Sequence, residues 1–174
     1  MKNKKTHEVL QDALQKHDFI NFYQHLSSPQ FPWFLSHRSN NGLDLFHVFY
    51  DNFSFVSNFS DYIKKIIHTL QPEAMVGAYA RLNWYKKNTV ETYEASQCHT
   101  AILFVNTNDS FYKINDSKIN SVANSILVIN PNVRYSYNLQ INNYPVVTIA
   151  FRFLKKDSKS IHRTFDVSKP KPNN

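Results

Sequence analysis

Over the first part of the chain apolar side chains recur every three or four residues, while beyond residue 74 they alternate or form short unbroken runs. Val9, Leu10, Ala13 and Leu14 share one helical face, and Ile20, Tyr23 and Leu26 carry the stripe on. Residues 6–26 are therefore expected to be helical, broken near His17-Asp18, with Thr6 capping the first half and Asp18 the second. Ser27-Ser28-Pro29 stops the helix, because proline cannot continue it. The cluster from Phe31 to Phe34, with Pro32 inside it, reads as a packed extended segment, and 36–41 as a polar loop ending at Gly42. Residues 45–50 read as a strand. Asn58 to Asp61 opens a second helix, capped by Ser60 or Asn58, with Ile63, Ile66, Ile67 and Leu70 on its apolar face and Pro72 ending it.

From there the period changes to two. In residues 74–85, Tyr79, Arg81, Asn83 and Tyr85 fall on one face, and Ala78, Ala80, Leu82 and Trp84 on the other. Residues 86–97 are polar and loop-like. Ala101 to Val105 has the length and Ile/Phe/Val content of a buried strand, and Asn106 to Ser110 stops it. Shorter strands are expected at 111–114, 118–122, 126–129 and 134–139, and a long final one at 145–154. Two helices followed by about eight short strands predict an α+β fold. Its body is an antiparallel sandwich or jelly roll, a cupin-like barrel, with two N-terminal helices packed on one sheet. The organisation expected is a basic tail at 1–5, a single domain at 6–154 and a basic, disordered tail at 155–174.

Composition narrows the function classes. The chain has 174 residues, 42% of them hydrophobic, enough for one domain with its own core. No apolar run approaches ~18 residues, so no membrane partner is expected. With one cysteine, Cys98, no intrachain disulfide can form, and a reducing, cytoplasmic location is expected. The net charge of +7 resides at the ends: residues 1–5 carry +3 and 155–174 carry +4, leaving eleven basic and eleven acidic residues between them. A phosphate-tracking groove needs that charge on the domain itself, so the tails predict only weak, salt-sensitive contacts with polyanions. Two glycines, Gly42 and Gly77, exclude Gly-rich phosphate loops.

Several short stretches arrive in a recognisable order. Phe31-Pro-Trp-Phe34 resembles an "FPWYY", Phe46-His-Val-Phe-Tyr50 a "THVFY", and Tyr79-Ala-Arg81-Leu-Asn83 a strand reading Arg-x-Lys-x-Asn. Thr100 to Asp109, followed by Val122 to Asn130, resembles the core of the 2-oxoglutarate/Fe(II) dioxygenases. The nearest branch is the small prolyl-4-hydroxylase-like group of phages and marine bacteria. The likeness covers roughly residues 30–153. It implies a double-stranded β-helix whose open end holds Fe(II) through two histidines and a carboxylate, leaving three coordination positions for the co-substrate and O₂.

The residues that should do this are absent. The family's His-x-Asp falls within 90–94, where Glu91, Thr92, Tyr93 and Glu94 stand, and no histidine lies between His68 and His99. The distal histidine's place is taken by Tyr135, and the arginine that pairs with 2-oxoglutarate is replaced by Pro145 or Val146. The family's paired tyrosines correspond to Leu103 and Phe104. His99-Thr-Ala101 has the His-x-Ala form of related halogenases but stands too late in register, and His162 lies in the basic tail. The resemblance thus implies a catalytically silent, dioxygenase-like barrel acting as a binding or structural module for a protein or small-molecule ligand, with no cofactor. Its pocket would be lined by Tyr79, Arg81, Asn83, Tyr135, Thr148 and Arg152. The alternative is a divergent hydroxylase of a protein or small molecule that still uses Fe(II) and 2-oxoglutarate.

Other candidates have plainer readings. His47 is expected to be a satisfied histidine beside the core, and His17 and His25, eight apart, solvated surface residues. Cys98 and His99, adjacent on a strand, point to opposite faces and do not form a dyad.

Overall fold

The structure, a computed structural model, describes residues 5–35, 42–86, 89–139 and 145–155; the 36–41 loop, nearly all of both basic tails, His162 and the side chains of Trp84 and Tyr85 lie outside the described residues. In chain order the elements are β1 (His7–Leu10), α1 (Lys16–Leu26), β2 (Phe34–Leu35), β3 (Gly42–Asp51), β4 (Ser54–Phe55), α2 (Asp61–Leu70), β5 (Ala74–Lys86), β6 (Thr89–Tyr93), β7 (His99–Phe104), β8 (Phe111–Ile114), β9 (Ser117–Asn120), β10 (Ser125–Ile129), β11 (Tyr135–Leu139) and β12 (Val146–Leu154). The strands make two antiparallel sheets. The larger runs β1-β10-β7-β12-β5-β3-β2, with β4 on β3, and the smaller runs β6-β11-β8-β9.

Period-two alternation divides the larger sheet between two cores. On β7, Ala101 and Leu103 join a cluster with Phe22 and Leu26 of α1 and Ile63, Ile66 and Leu70 of α2. Their neighbours Ile102 and Phe104 join a second cluster with Tyr112, Ile114, Tyr137 and Leu139 of the smaller sheet. Strand β12 splits the same way, with Ile149, Phe151 and Phe153 on the helix side and Val146 between the sheets. A strand buried on both faces reads as a continuous apolar run, which is why β7 and β10 stand out in the sequence.

Several expectations are corrected. Residues 7–10 are not the start of a helix but an edge strand, pairing His7 with Ile129 and Leu10 with Ile126. The turn after them places Asp12 at a φ of 49°, and α1 begins only at Lys16, with no side-chain cap from Asp18. The polar stretch 86–97 is not all loop, because Thr89–Tyr93 forms β6 and pairs with β11. The helices do not precede the strands but interleave with them. Ser60 stands at the start of α2 yet donates to the carbonyls of Phe49 and Ser57 and leaves the helix uncapped.

Turns rely on asparagine. Asn52, Asn115, Asn124 and Asn132 all take positive φ, where asparagine is the best tolerated residue after glycine.

His47 packs among Phe31, Phe49 and Phe59. Its Nδ1 donates to the Pro32 carbonyl at 2.9 Å and its Nε2 accepts from Ser57 Oγ at 2.7 Å, an arrangement that suits the neutral ring. Burial pushes its pKa below 6.5, against a smaller opposing pull from the Pro32 carbonyl. The unfolded chain then binds a proton that the folded chain refuses. Stability is full above about pH 6.5 and falls as the pH drops from there through the folded pKa. Urea midpoints at pH 7.5 and 5.5 should show this loss, and His47→Gln should flatten it; an unchanged slope in the variant would rule His47 out as its source. The carboxylate of Asp18, held low by Lys65 at 2.6 Å, titrates in a separate, more acidic window.

Candidate functional site

The inner face of β5 carries Tyr79, Arg81 and Asn83, opposite Ala150, Thr148 and Val146 of β12. On the facing sheet, Glu91 and Tyr93 are two apart on β6 and so share its inner face, while Thr92 between them is exposed. The β6–β11 register sets Tyr93 opposite Tyr135 and Glu91 opposite Tyr137. Arg81 reaches across the gap between the sheets. Its Nη1 and Nη2 donate to both oxygens of Glu91 at 2.7 and 2.9 Å, a bidentate pair. Nη2 also donates to Asp44 Oδ2 at 2.9 Å, and Nη1 to the Tyr93 hydroxyl at 3.1 Å. Asn83 donates to the other oxygen of Asp44, and the Tyr93 hydroxyl to Glu91 at 2.7 Å.

One guanidinium thus ties two carboxylates on two strands. Burial disfavours its charge, yet the bonds to Glu91 and Asp44 outweigh that and raise its pKa. Burial raises the Tyr93 pKa; Arg81 opposes and Glu91 reinforces the shift. Tyr135 is pushed up to about 12, again by burial first, and both phenols keep their protons at neutral pH.

Beside this network is a cavity of about 250 Å³. Tyr79, Tyr93, Tyr135 and Arg152 line it together with Glu94, Ser96, Cys98, Thr100, Asn130, Ile129 and Val133. The rings of Tyr93 and Tyr135 stack at 4.8 Å, and a second tyrosine pair, Tyr112 and Tyr137, stacks behind them at 4.4 Å. Glu94 is paired with Arg134 at 3.0 Å. Cys98 lines the cavity, whereas His99 stacks on Phe153 on the helix side.

Of the residues singled out from the sequence, Tyr79, Tyr135 and Arg152 line the cavity, Arg81 and Asn83 belong to the ion network, and Thr148 is buried opposite Arg81. Glu91 and Tyr93 join Arg81, and Tyr135 stands across from Tyr93. Leu103 is buried on the helix side, Phe104 and Val146 lie between the sheets, and the Pro145 carbonyl accepts from Asn106. His17 and His25 are exposed on α1, where His25 Nδ1 donates to the Asn21 carbonyl. Asp44 was not foreseen. It lies one residue before the strand read from the pattern, although a lone carboxylate between Leu43 and Leu45 is itself a signal of a buried partner.

These residues do not fit a facial-triad metal. The donor set there is one carboxylate already chelated by a guanidinium and two protonated phenols, with no imidazole. Among the described residues, no group of three or more His, Cys, Asp or Glu side chains could hold a metal ion.

No protein-family model and no curated protein sequence matches the chain. Solved structures do match. One is the non-heme alpha ketoglutarate dependent epimerase SnoN from nogalamycin biosynthesis, with a TM-score of 0.65 at 8% identity, covering 86% of this chain and 78% of that one. HygX from Streptomyces hygroscopicus, solved with nickel and 2-oxoglutarate bound, gives a TM-score of 0.65 at 8% identity over 86% and 83% of the two chains. A Pseudomonas putida prolyl-4-hydroxylase gives 0.57 at 9% identity over 87% and 93%. These neighbours are 2-oxoglutarate/Fe(II) oxygenases, and at such identities the likeness shows the fold, a double-stranded β-helix. No helix among the described residues is long and apolar enough to cross a membrane.

Proposed function

We propose that this chain is a dioxygenase-like barrel that no longer performs metal chemistry and serves as a binding module, holding a ligand in the cavity beside Arg81. The observation that carries this reading is the Arg81 guanidinium, chelated by Glu91 and bonded to Asp44. Glu91 and Tyr93 stand in the window where the resemblance expects His-x-Asp, and Tyr135, opposite Tyr93, stands where it expects the distal histidine. A fixed organic cation meets the carboxylates there, and a divalent ion would have to displace it. The loss of both imidazoles and of the co-substrate's arginine, placed at Pro145 or Val146, supports the same reading. The single cysteine supports a reducing compartment, and the order of the short motifs supports the prolyl-4-hydroxylase-like branch.

Anaerobic titration with Mn(II), a redox-silent stand-in for Fe(II), and 2-oxoglutarate tests it through intrinsic tryptophan fluorescence. No saturable, mutually dependent binding is expected at millimolar concentrations of either. Mutually dependent binding at micromolar levels would instead establish a divergent Fe(II)/2-oxoglutarate hydroxylase.

A further inference from the structure

We infer that the cavity beside the Arg81 network is a metal-independent site for a compact monocarboxylate with a flat apolar body, its carboxylate held by Arg152. This rests on the binding-module reading above and names the ligand class of that site.

The charge balance of the cavity carries the inference. Two charged side chains line it, Glu94 and Arg152. Glu94 is paired with Arg134, both side chains about three-quarters exposed, while among the described residues no carboxylate pairs with Arg152. The guanidinium of Arg152 makes one long hydrogen bond, 3.4 Å to Ser96 Oγ, and keeps its other donors. The nearest phenols are neutral donors, so no phenolate repels an incoming anion. One uncompensated cation matches one carboxylate; a phosphate dianion would call for a second.

The remaining walls describe the body of the ligand. Val133 and the rings of Tyr79 and Tyr135 offer apolar surface among the polar side chains of Ser96, Thr100 and Asn130, and Tyr79 is 38% exposed. A volume of about 250 Å³ lies just below the usual range for small-molecule sites, too small for a nucleotide. Arg152 reaches this position because it alternates with Thr148 and Ala150 on β12, opposite Thr100 of β7, at the end of the strand away from Val146, where it is solvent-exposed.

Cys98 supplies the readout. It is the only cysteine in the chain and lines the cavity, so its alkylation by neutral N-ethylmaleimide, followed by intact mass, reports occupancy of this site alone. The full chain in EDTA is challenged with benzoate, succinate, phenyl phosphate and the neutral isostere benzamide. Benzoate should slow alkylation several-fold and benzamide should not. Arg152→Gln should weaken the benzoate effect about tenfold, as expected for one charge-assisted hydrogen-bond pair, and Arg152→Lys should keep part of it. Circular dichroism checks that both variants fold. Failure of benzoate to protect, equal protection by benzamide, protection by phenyl phosphate alone or unchanged protection in Arg152→Gln would each overturn the assignment. Protection that appears only when Mn(II) and 2-oxoglutarate replace EDTA would overturn the metal-free reading itself, a result distinct from loss of the benzoate effect.

Discussion

Replacing Arg81 with methionine should lower the stability of the fold by about 3 kcal/mol, because it takes the bidentate guanidinium away from the buried Asp44 and the partly buried Glu91. Asp44 is the larger contributor to that loss: its side chain is only 7% exposed, whereas Arg81 and Glu91 are each about one quarter exposed and water can still reach them. That partial exposure keeps the effect at the lower end of what breaking a buried ion pair costs. For a chain of this length the loss corresponds to a melting temperature lower by roughly 6–12 °C. Arg81→Lys keeps the charge but cannot chelate Glu91 and reach Asp44 with two parallel nitrogens, so it should recover part of the stability and not all of it. Pairing Arg81→Met with Asp44→Asn should cost less than the sum of the single changes, since the second removes the charge that the first strands. Urea midpoints of the four variants, Asp44→Asn alone included, and of the parent decide the matter. A methionine variant as stable as the parent would mean that the guanidinium is not the cation that holds these carboxylates, and the case against a metal ion at this position would lose its main support.

The ion network also explains why one part of the fold was legible in the sequence and another was not. Strands β7 and β10 are buried on both faces, and β12 is largely so before Arg152, so their apolar runs announce them. Strand β6 carries Thr92 on its solvent face and Glu91 on its inner face, and the inner face is charged because Arg81 meets it there. Thr-Val-Glu-Thr-Tyr therefore has no apolar stripe and reads as loop. The edge strand β1 failed for a different reason. Val9, Leu10, Ala13 and Leu14 do repeat at helical spacing, but pairing with β10 fixes residues 7–10 as a strand, and the spacing across Asp12 is accidental. Tertiary pairing outweighs helix propensity over so short a segment. At the candidate site, the inward side of β5 could be read from its alternation, which places Tyr79, Arg81 and Asn83 together. The partners could not: Asp44 comes from a strand 37 residues away from Arg81, and Cys98, Asn130 and Val133 from loops whose convergence only the closed barrel defines.

Asn124 is the second position where a single change should be costly, and Asn124→Ala should destabilise the chain by roughly 3–5 kcal/mol. Its side chain is bonded on both ends to one buried residue 110 positions away: Leu14 N donates to Oδ1 at 3.0 Å, and Nδ2 donates to the Leu14 carbonyl at 2.8 Å. Its backbone continues the tie, with the Asn124 carbonyl accepting from Ala13 N and Asn124 N donating to the Phe104 carbonyl, both at 2.9 Å. This one residue therefore joins the segment between β1 and α1 to the turn that feeds β10. Alanine leaves the Leu14 donor and acceptor both unsatisfied, each at about 1–3 kcal/mol when buried. It also places a Cβ-bearing residue without a polar side chain at a φ of 61°, which costs about 1 kcal/mol more. The two contributions can be separated. Asn124→Gly removes the same hydrogen bonds but tolerates the positive φ, so it should be about 1 kcal/mol more stable than the alanine variant. Asn124→Asp keeps the acceptor for Leu14 N and turns the donor into an oxygen facing the Leu14 carbonyl, so it should fall below the parent at neutral pH and gain on the parent as acid protonates it. Native-state hydrogen exchange at Ala13 and Leu14 adds a local readout: both amides should lose protection in Asn124→Ala before the β7 amides do. If the alanine variant lies within about 1 kcal/mol of the parent, water satisfies Leu14 as well as Asn124 does, and the N-terminal segment is held by the β1–β10 pairing alone.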